Sequence, residues 1–257
     1  MVSSRDTIIH TPEEISRIRT AAQATAWVRD ELAAKLEPGM TTKEVDVLAG
    51  CLIAQTGGTS SFLGYYGYPG NVCISVNDVV VHGIGNNETM LHEGDIVSID
   101  IGVTINGATG DTARTVPLGR ISPDVERLLV NTELSLMKGI EQAVAGNHIG
   151  DISAAVEKVA VRAGLGVVRD YVGHGCGIKL HEPPEIPNFQ SRYHGPRLEP
   201  GMVLAIEPML NLGTWKVRTE RDNWTVRTCD GKWSAHFEHL VLVTEEKPEI
   251  LTWPKTM

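Results

Sequence analysis

One pattern occurs twice in this chain, and the duplication constrains the fold more than any other feature. Leu91-His92-Glu93-Gly94-Asp95-Ile96-Val97-Ser98-Ile99-Asp100 matches Leu198-Glu199-Pro200-Gly201-Met202-Val203-Leu204-Ala205-Ile206-Glu207 at an offset of 107 residues. The same offset relates Gly39, Glu44, Val45 and Gly57 to Gly146, Asp151, Ile152 and Gly164. A common strand-entry motif explains one such match; two at a single offset point to related halves. Each half reads helix, helix, strands, and each sets a carboxylate (Asp100 or Glu207) at the end of an equivalent strand. A pseudo-two-fold relation brings those acids toward one centre. The halves are expected at about 12–119 and 120–245 of a single domain spanning residues 1–257.

Local signals place four helices. Thr11-Pro12-Glu13-Glu14 supplies an N-cap, a first-turn proline and acids suited to the helix dipole. It predicts a helix to about Leu36, with Ile15, Ile18, Ala22, Ala26 and Val28 on or near one face and Pro38-Gly39 ending it. Thr42 is expected to cap a second helix through about Gln55, and two more are expected from Ser122 to about Ala145 and from Gly150 to about Ala163. The stretch 71–116 is strand-like and glycine-rich, and strands and loops continue to Val243. Helices and strands alternate in blocks, which gives an α+β fold class.

The acid-bearing strand carries the chemistry. Alternation from Ile96 to Ile101 puts Ile96, Ser98 and Asp100 on one face. Asn106-Gly107 is a strong hairpin signal; a two-residue turn there pairs Ile105 with Ala108 and, by continuation, Gly102 with Asp111. Asp111 then lies diagonal to Asp100 on the same face, roughly 7–8 Å away backbone to backbone. Two such side chains can converge on one cation, and without one they repel. The alternative is a pair of solvated surface acids, against which the apolar run Ile96, Val97, Ile99, Ile101 marks an interior strand. Glu238 enters the buried-type run Leu240-Val241-Leu242-Val243, where charge is tolerated only when paired or metal-bound. His174 sits in Gly173-His174-Gly175-Cys176-Gly177, whose glycines allow close approach.

Bulk properties exclude several classes. A net charge of −9 argues against a nucleic-acid or polybasic membrane surface. No run of about 18 uncharged apolar residues occurs, so no membrane span is expected. Met1-Val2-Ser3-Ser4-Arg5-Asp6 lacks the apolar run of a signal peptide. Cys51, Cys73, Cys176 and Cys229 are too scattered for a zinc ribbon or disulfide framework, which fits a reducing, cytoplasmic setting.

These stretches together resemble the methionine aminopeptidases of the pita-bread fold. The matching segments are 71–77, Val81-His82-Gly83-Ile84, Ser98-Ile99-Asp100-Ile101-Gly102, Gly110-Asp111-Thr112-Ala113-Arg114-Thr115, 173–177 with His181-Glu182, Ala205-Ile206-Glu207-Pro208-Met209 and Phe237-Glu238-His239. The resemblance covers nearly the whole chain in order. It implies a pseudo-symmetric catalytic domain, an antiparallel curved sheet with helices outside, that removes the initiator methionine from nascent proteins. Small second residues would be favoured, and Val2 is one. By resemblance, Asp111 and Glu238 bridge two divalent ions (Co, Mn, Fe(II), Zn or Ni), His174 and Glu207 complete one site, and Asp100 completes the other. Glu207 also accepts a proton from water, His181 stabilises the carbonyl oxygen, and His82 contacts the scissile amide nitrogen. The methionine pocket is built from Tyr65, Tyr68, Cys73, His82 and Trp224, with His181 also contacting substrate. Backbone carbonyls of Asn77, Val79 and Ser234 hold one Na⁺ or K⁺. A monomer is implied, with the ribosome as a partner and no specific nucleic-acid or membrane binding.

Some positions stand apart from that pattern. Leu180 replaces the aromatic residue usual before His181, and Phe62 fills a place often small or cysteine; both reshape the pocket wall. His236 shares a face with Glu238 and reads as a partner of the ligands rather than a ligand. Gly64-Tyr65-Tyr66-Gly67-Tyr68-Pro69 also reads as an ordinary aromatic loop. A strict hairpin at Asp230-Gly231 pairs Trp224 with Phe237, so only the resemblance brings Trp224 to the site. The minimal length between Glu207 and Glu238 favours type I over type II. The alternatives are a proline-specific aminopeptidase or dipeptidase with the same metal site, or a non-enzymatic binding protein on the same fold.

Overall fold

The computed structural model describes residues 7–253, so the expectations for Met1–Asp6 lie outside the described residues. Four helices pack outside antiparallel strands. The first, α1 (Pro12–Ala33), opens with a reciprocal box in which Thr11 Oγ1 accepts from Glu14 N and the Glu14 carboxylate accepts from Thr11 N. It ends three residues before the expected Leu36. The second, α2 (Thr42–Gln55), is capped by Thr41 rather than Thr42, because Glu44 lies three residues after Thr41 and closes the same box. Next come α3 (Pro123–Ile140) and α4 (Ile149–Arg162). The former stops short of Ala145, giving way to turns in which Ala143 N donates to Ile140 O.

The Asn106-Gly107 hairpin joins strands Ile96–Ile105 and Ala108–Pro117, and its register pairs Gly102 with Asp111 as expected. Asn106 and Gly107 both take positive φ, 52° and 70°, as the two-residue turn requires. Alternation then divides the strand by function. Val97, Ile99, Ile101 and Val103 pack under α1 and α2 with Leu32, Ala49 and Leu52, while Ser98, Asp100 and Gly102 face the other way.

The second half repeats the arrangement. Leu204 and Ile206 of strand Val203–Ile206 pack in the cluster of α3 and α4, leaving Glu207 at the strand's end. Helices α2 and α4 have 14 residues each and begin 107 residues apart. Their flanking glycines correspond in backbone angle: Gly39 and Gly146 have φ of 96° and 95°, and Gly94 and Gly201 have 93° and 92°.

Segment 234–239 crosses the first half's hairpin. Glu238 N donates to Ala113 O at 2.9 Å, Thr112 Oγ1 donates to Glu238 O at 2.8 Å, and Thr115 Oγ1 donates to His236 O at 2.8 Å. Those bonds put the Glu238-bearing segment of the second half against the acid-bearing face of the first. Among the described residues, no helix is long and apolar enough to cross a membrane.

Candidate metal centre

Four carboxylates and a histidine converge where the two halves meet. Asp111, His174 and Glu238 each offer a ligand atom within 4.8 Å of the others. His174 Nε2 lies 3.4 Å from Glu207 Oε1 and 3.8 Å from Asp111 Oδ2. Asp100 stands on the same strand face, and all five side chains border one cavity. Asp111 and Glu238 are 4% and 2% exposed, too enclosed for water to solvate their charges. The reading of Asp100 and Asp111 as solvated surface acids is therefore wrong.

Hydrogen bonding is incomplete in a specific way. Asp100 Oδ1, Asp111 Oδ1 and Glu238 Oε1 are buried without a hydrogen-bond partner among the described residues. Burial pushes Asp100 up to about 7, with His236 opposing and Glu207 adding to the rise. Burial likewise raises Glu207 to about 8. Asp111 and Glu238 lie well above the carboxylate range, first through burial and then through repulsion from their acidic neighbours. Acids this close hold protons or cations; they do not stay ionised together unaided. Orphaned carboxylate oxygens beside an imidazole are the donor set that one or two divalent ions satisfy.

His174 is prepared as a ligand. Its Nδ1 sits 2.9 Å from Gly175 O, so the Nδ1–H donates there and the Nε2 lone pair faces Asp111 and Glu207. Burial lowers its pKa to about 3, which keeps the imidazole neutral. His236 is buried with Nε2 3.5 Å from Glu207 Oε2, and it does not border the cavity.

The cavity above these residues has a volume of 260 Å³ and walls of Tyr65, Tyr68, Cys73, His82 and Trp224. The aromatic segment is thus part of the site, not an ordinary loop. Phe62 and Leu180 pack with Tyr68 and Cys73, so the two unusual wall residues meet in one cluster. Trp224 enters because no hairpin forms across Asp230-Gly231. Strand Val226–Thr228 pairs with Val79–Val81 and Val217–Thr219, whereas Ser234–His236 pairs with Met209–Asn211. The chain changes sheets at that turn, which overturns the register pairing Trp224 with Phe237.

Two histidines flank the cavity. His82 has φ 59°, an uncommon conformation for a side-chain-bearing residue, and Tyr68 Oη donates to Gly83 O at 2.8 Å just beyond it. Burial takes its pKa down to about 4, with His236 and His181 adding to the shift. His181 lies at the mouth, its ring 4.2 Å from that of His174, and its Nδ1 is 2.8 Å from Tyr65 Oη. Desolvation lowers its pKa as well. A neutral His181 accepts a hydrogen bond from the Tyr65 hydroxyl at Nδ1 and keeps Nε2–H as a donor.

Tyr171, Val172 and Val81 also line the cavity and were not foreseen; the Tyr171 ring stands edge-on to His82 at 5.3 Å. It lies between short strands with no periodic pattern, so no sequence signal marked it. Asn77 and Val79 border a different, polar groove, and Asn77 O accepts from Ser234 N at 2.9 Å.

Comparison with known proteins agrees with this geometry. Residues 16–245 match the model of metallopeptidase family M24. The chain belongs to that family. Within M24 it is 48% identical over 245 residues to methionine aminopeptidase 1 of Bacillus subtilis, covering 95% of this chain and 98% of that one. The crystal structure of the Thermotoga maritima methionine aminopeptidase superposes with a TM-score of 0.94 at 40% identity, covering 96% and 99% of the two chains. The Pyrococcus furiosus prolidase superposes with a TM-score of 0.78 at 22% identity, covering 97% of this chain and 66% of that one, which speaks to the shared fold alone.

Proposed function

We propose that this chain is a metallo-aminopeptidase that removes N-terminal methionine from peptides and nascent chains, favouring small second residues. The observation that carries the reading is the convergence of five ligand-type side chains, several with orphaned buried oxygens, on the floor of an apolar cavity containing a thiol. The 48% identity to a methionine aminopeptidase supports the substrate.

In this reading Asp100, Asp111, His174, Glu207 and Glu238 would hold two divalent ions, with Asp111 and Glu238 serving both, His174 and Glu207 one, and Asp100 the other. Co, Mn, Fe(II), Zn and Ni all suit such an oxygen-rich set with one imidazole. When bound, the pair of cations lowers the pKa of water and anchors the substrate's free α-amine. The protein's own groups do the rest. Glu207 takes a proton from the attacking water. His181 Nε2–H, with its tautomer set by Tyr65, donates to the carbonyl oxygen as negative charge develops. His82 contacts the scissile amide nitrogen. Tyr65, Tyr68, Cys73, His82 and Trp224 hold the thioether side chain, and sulfur–aromatic contact favours it there.

The finer assignments belong to the same reading. Carbonyls of Asn77, Val79 and Ser234 hold one Na⁺ or K⁺, and halves at about 12–119 and 120–245 form one catalytic domain. The protein works in the cytoplasm as a monomer near the ribosome, with no specific nucleic-acid or membrane binding. The test is turnover of Met-Ala-Ser against Xaa-Pro peptides, before and after chelation. Met-Ala-Ser should be preferred, with activity lost in EDTA and restored by Mn²⁺, Fe²⁺ or Co²⁺. Preference for Xaa-Pro would move the substrate to the proline-specific relatives, and full activity in EDTA would refute the metal mechanism.

A further inference from the structure

A second cluster of metal-ligating side chains lies outside the catalytic cavity. His148 precedes α4, Asp151 lies in the first turn of that helix, and His194 comes from the connection after strand Glu182–Ile186. Each offers one ligand atom within 4.8 Å of the others. Asp151 Oδ1 is 3.2 Å from His194 Nε2, and Asp151 Oδ2 is 4.0 Å from His148 Nδ1. The two imidazoles stack with centroids 4.7 Å apart and planes 19° from parallel. Bonds of 2.0–2.1 Å to a tetrahedral ion put ligand atoms about 3.3 Å apart, so binding one cation requires both rings to turn out of their stack and aim one nitrogen each at it.

The repeat supplies an internal control. In the first half, Glu44 accepts from Thr41 N at 2.8 Å, and Asn86 O accepts from Lys43 N at 3.0 Å. In the second, Asp151 accepts from His148 N at 2.8 Å, and His194 O accepts from Gly150 N at 2.8 Å. Thr41 and Asn86 therefore occupy the places of His148 and His194 and close the same helix end without imidazoles. His148 makes no side-chain cap bond. Two imidazoles flank the carboxylate at a helix end that the first half closes without an imidazole.

Backbone hydrogen bonds hold the frame around the cluster. Ile149 N donates to Pro196 O at 3.1 Å, His148 bridges to Arg197, and a Cβ on Gly150 would lie 2.5 Å from His194 Cδ2. The positive end of α4 opposes a cation here, and the Asp151 charge offsets it.

We infer that His148, Asp151 and His194 bind one borderline divalent cation of the Zn²⁺ class, with water completing its coordination. Imidazole with carboxylate suits Zn²⁺ and its neighbours better than Mg²⁺ or Ca²⁺. The ion ties the connection carrying His194 to α4. At the base of that connection Asn188 donates to Glu207 O at 3.1 Å, so the tie braces the chain beside the catalytic centre.

The test uses Mn²⁺-loaded full-length protein dialysed against buffered micromolar free Zn²⁺, with total metal per chain counted by emission spectroscopy. The comparison protein is the double variant His148→Thr, His194→Asn, which copies the first half's residues and so retains the helix end. Wild type should hold one more equivalent than the variant, and Zn²⁺ should raise the melting temperature of wild type more than that of the variant. Equal metal content with equal thermal response would overturn the inference. Adding Asp111→Asn to both proteins lowers each total but preserves the difference, so failure of the catalytic assignment reads out separately.

Discussion

Removing the cations should make the protein's stability fall with rising pH, in a window fixed by the buried acids. Asp100 and Glu207 have folded pKa values of about 7 and about 8, raised by burial above the ordinary carboxylate range. A raised acid binds more protons folded than unfolded, so its contribution is complete below its unfolded pKa and is lost as pH rises through the folded one. The imidazoles run the other way. His82 and His174 are depressed to about 4 and about 3, so the stability they contribute falls away below about pH 6.5, where the unfolded imidazoles take up protons. Between pH 6.5 and 8.5 the folded acids titrate, while the unfolded imidazoles, half protonated at about pH 6.5, finish losing their protons and return about 0.4 kcal/mol each. Asp100 then loses about 1 kcal/mol and Glu207 about 2, of which the two histidines offset about 1. Asp111 and Glu238 lie higher and add to the loss. A net fall of about 2 kcal/mol corresponds to roughly 4 °C in melting temperature for a chain of this size. Calorimetry of EDTA-treated protein should record that fall, and Mn²⁺-loaded protein should not, since a cation holds the carboxylates ionised. Asp111→Asn should shallow the slope of the chelated form. A chelated melting temperature that stays level or rises from pH 6.5 to 8.5 would refute the reasoning.

Other perturbations separate the roles of single residues. Tyr65→Phe removes the hydroxyl that fixes His181 but keeps the ring, so kcat should drop about fivefold for one hydrogen bond near 1 kcal/mol while KM changes little; unchanged kcat would remove Tyr65 from that role. Gly102→Ala sets a methyl 2.6 Å from Phe62 Cε1, which should force Phe62 into the cavity, raise KM for methionyl peptides and lower stability by about 1–3 kcal/mol. His82→Ala should lower turnover while metal content, counted by emission spectroscopy, stays intact; lost metal would make His82 part of the ligand set.

The sequence was most legible where physics is local. The positive φ of an Asn-Gly turn, counted outward residue by residue, put Asp111 opposite Gly102 and beside Asp100. The repeat anticipated the matching helices α2 and α4 because an N3 acid and flanking glycines recur at one offset. Turn reasoning failed at Asp230-Gly231 for a non-local reason. Thr228 N donates to Asp78 O, a partner 150 residues earlier, and that bond outweighs pairing across the turn. Trp224 reaches the cavity on the strength of such contacts. Tyr171 stayed invisible because a loop residue's position is set by what it packs on, here His82. The convergence of His174 and Glu238 with the hairpin acids likewise depends on the halves meeting, and only the resemblance pointed to it, whereas the repeat had already brought Glu207 toward Asp100.

The most direct test of the central claim is a crystal structure of the Mn²⁺-loaded protein with methionine bound. Two cations should lie among Asp100, Asp111, His174, Glu207 and Glu238, with the thioether between Tyr65, Tyr68, Cys73 and Trp224. Cations held elsewhere, or a methionine side chain outside that cavity, would contradict it.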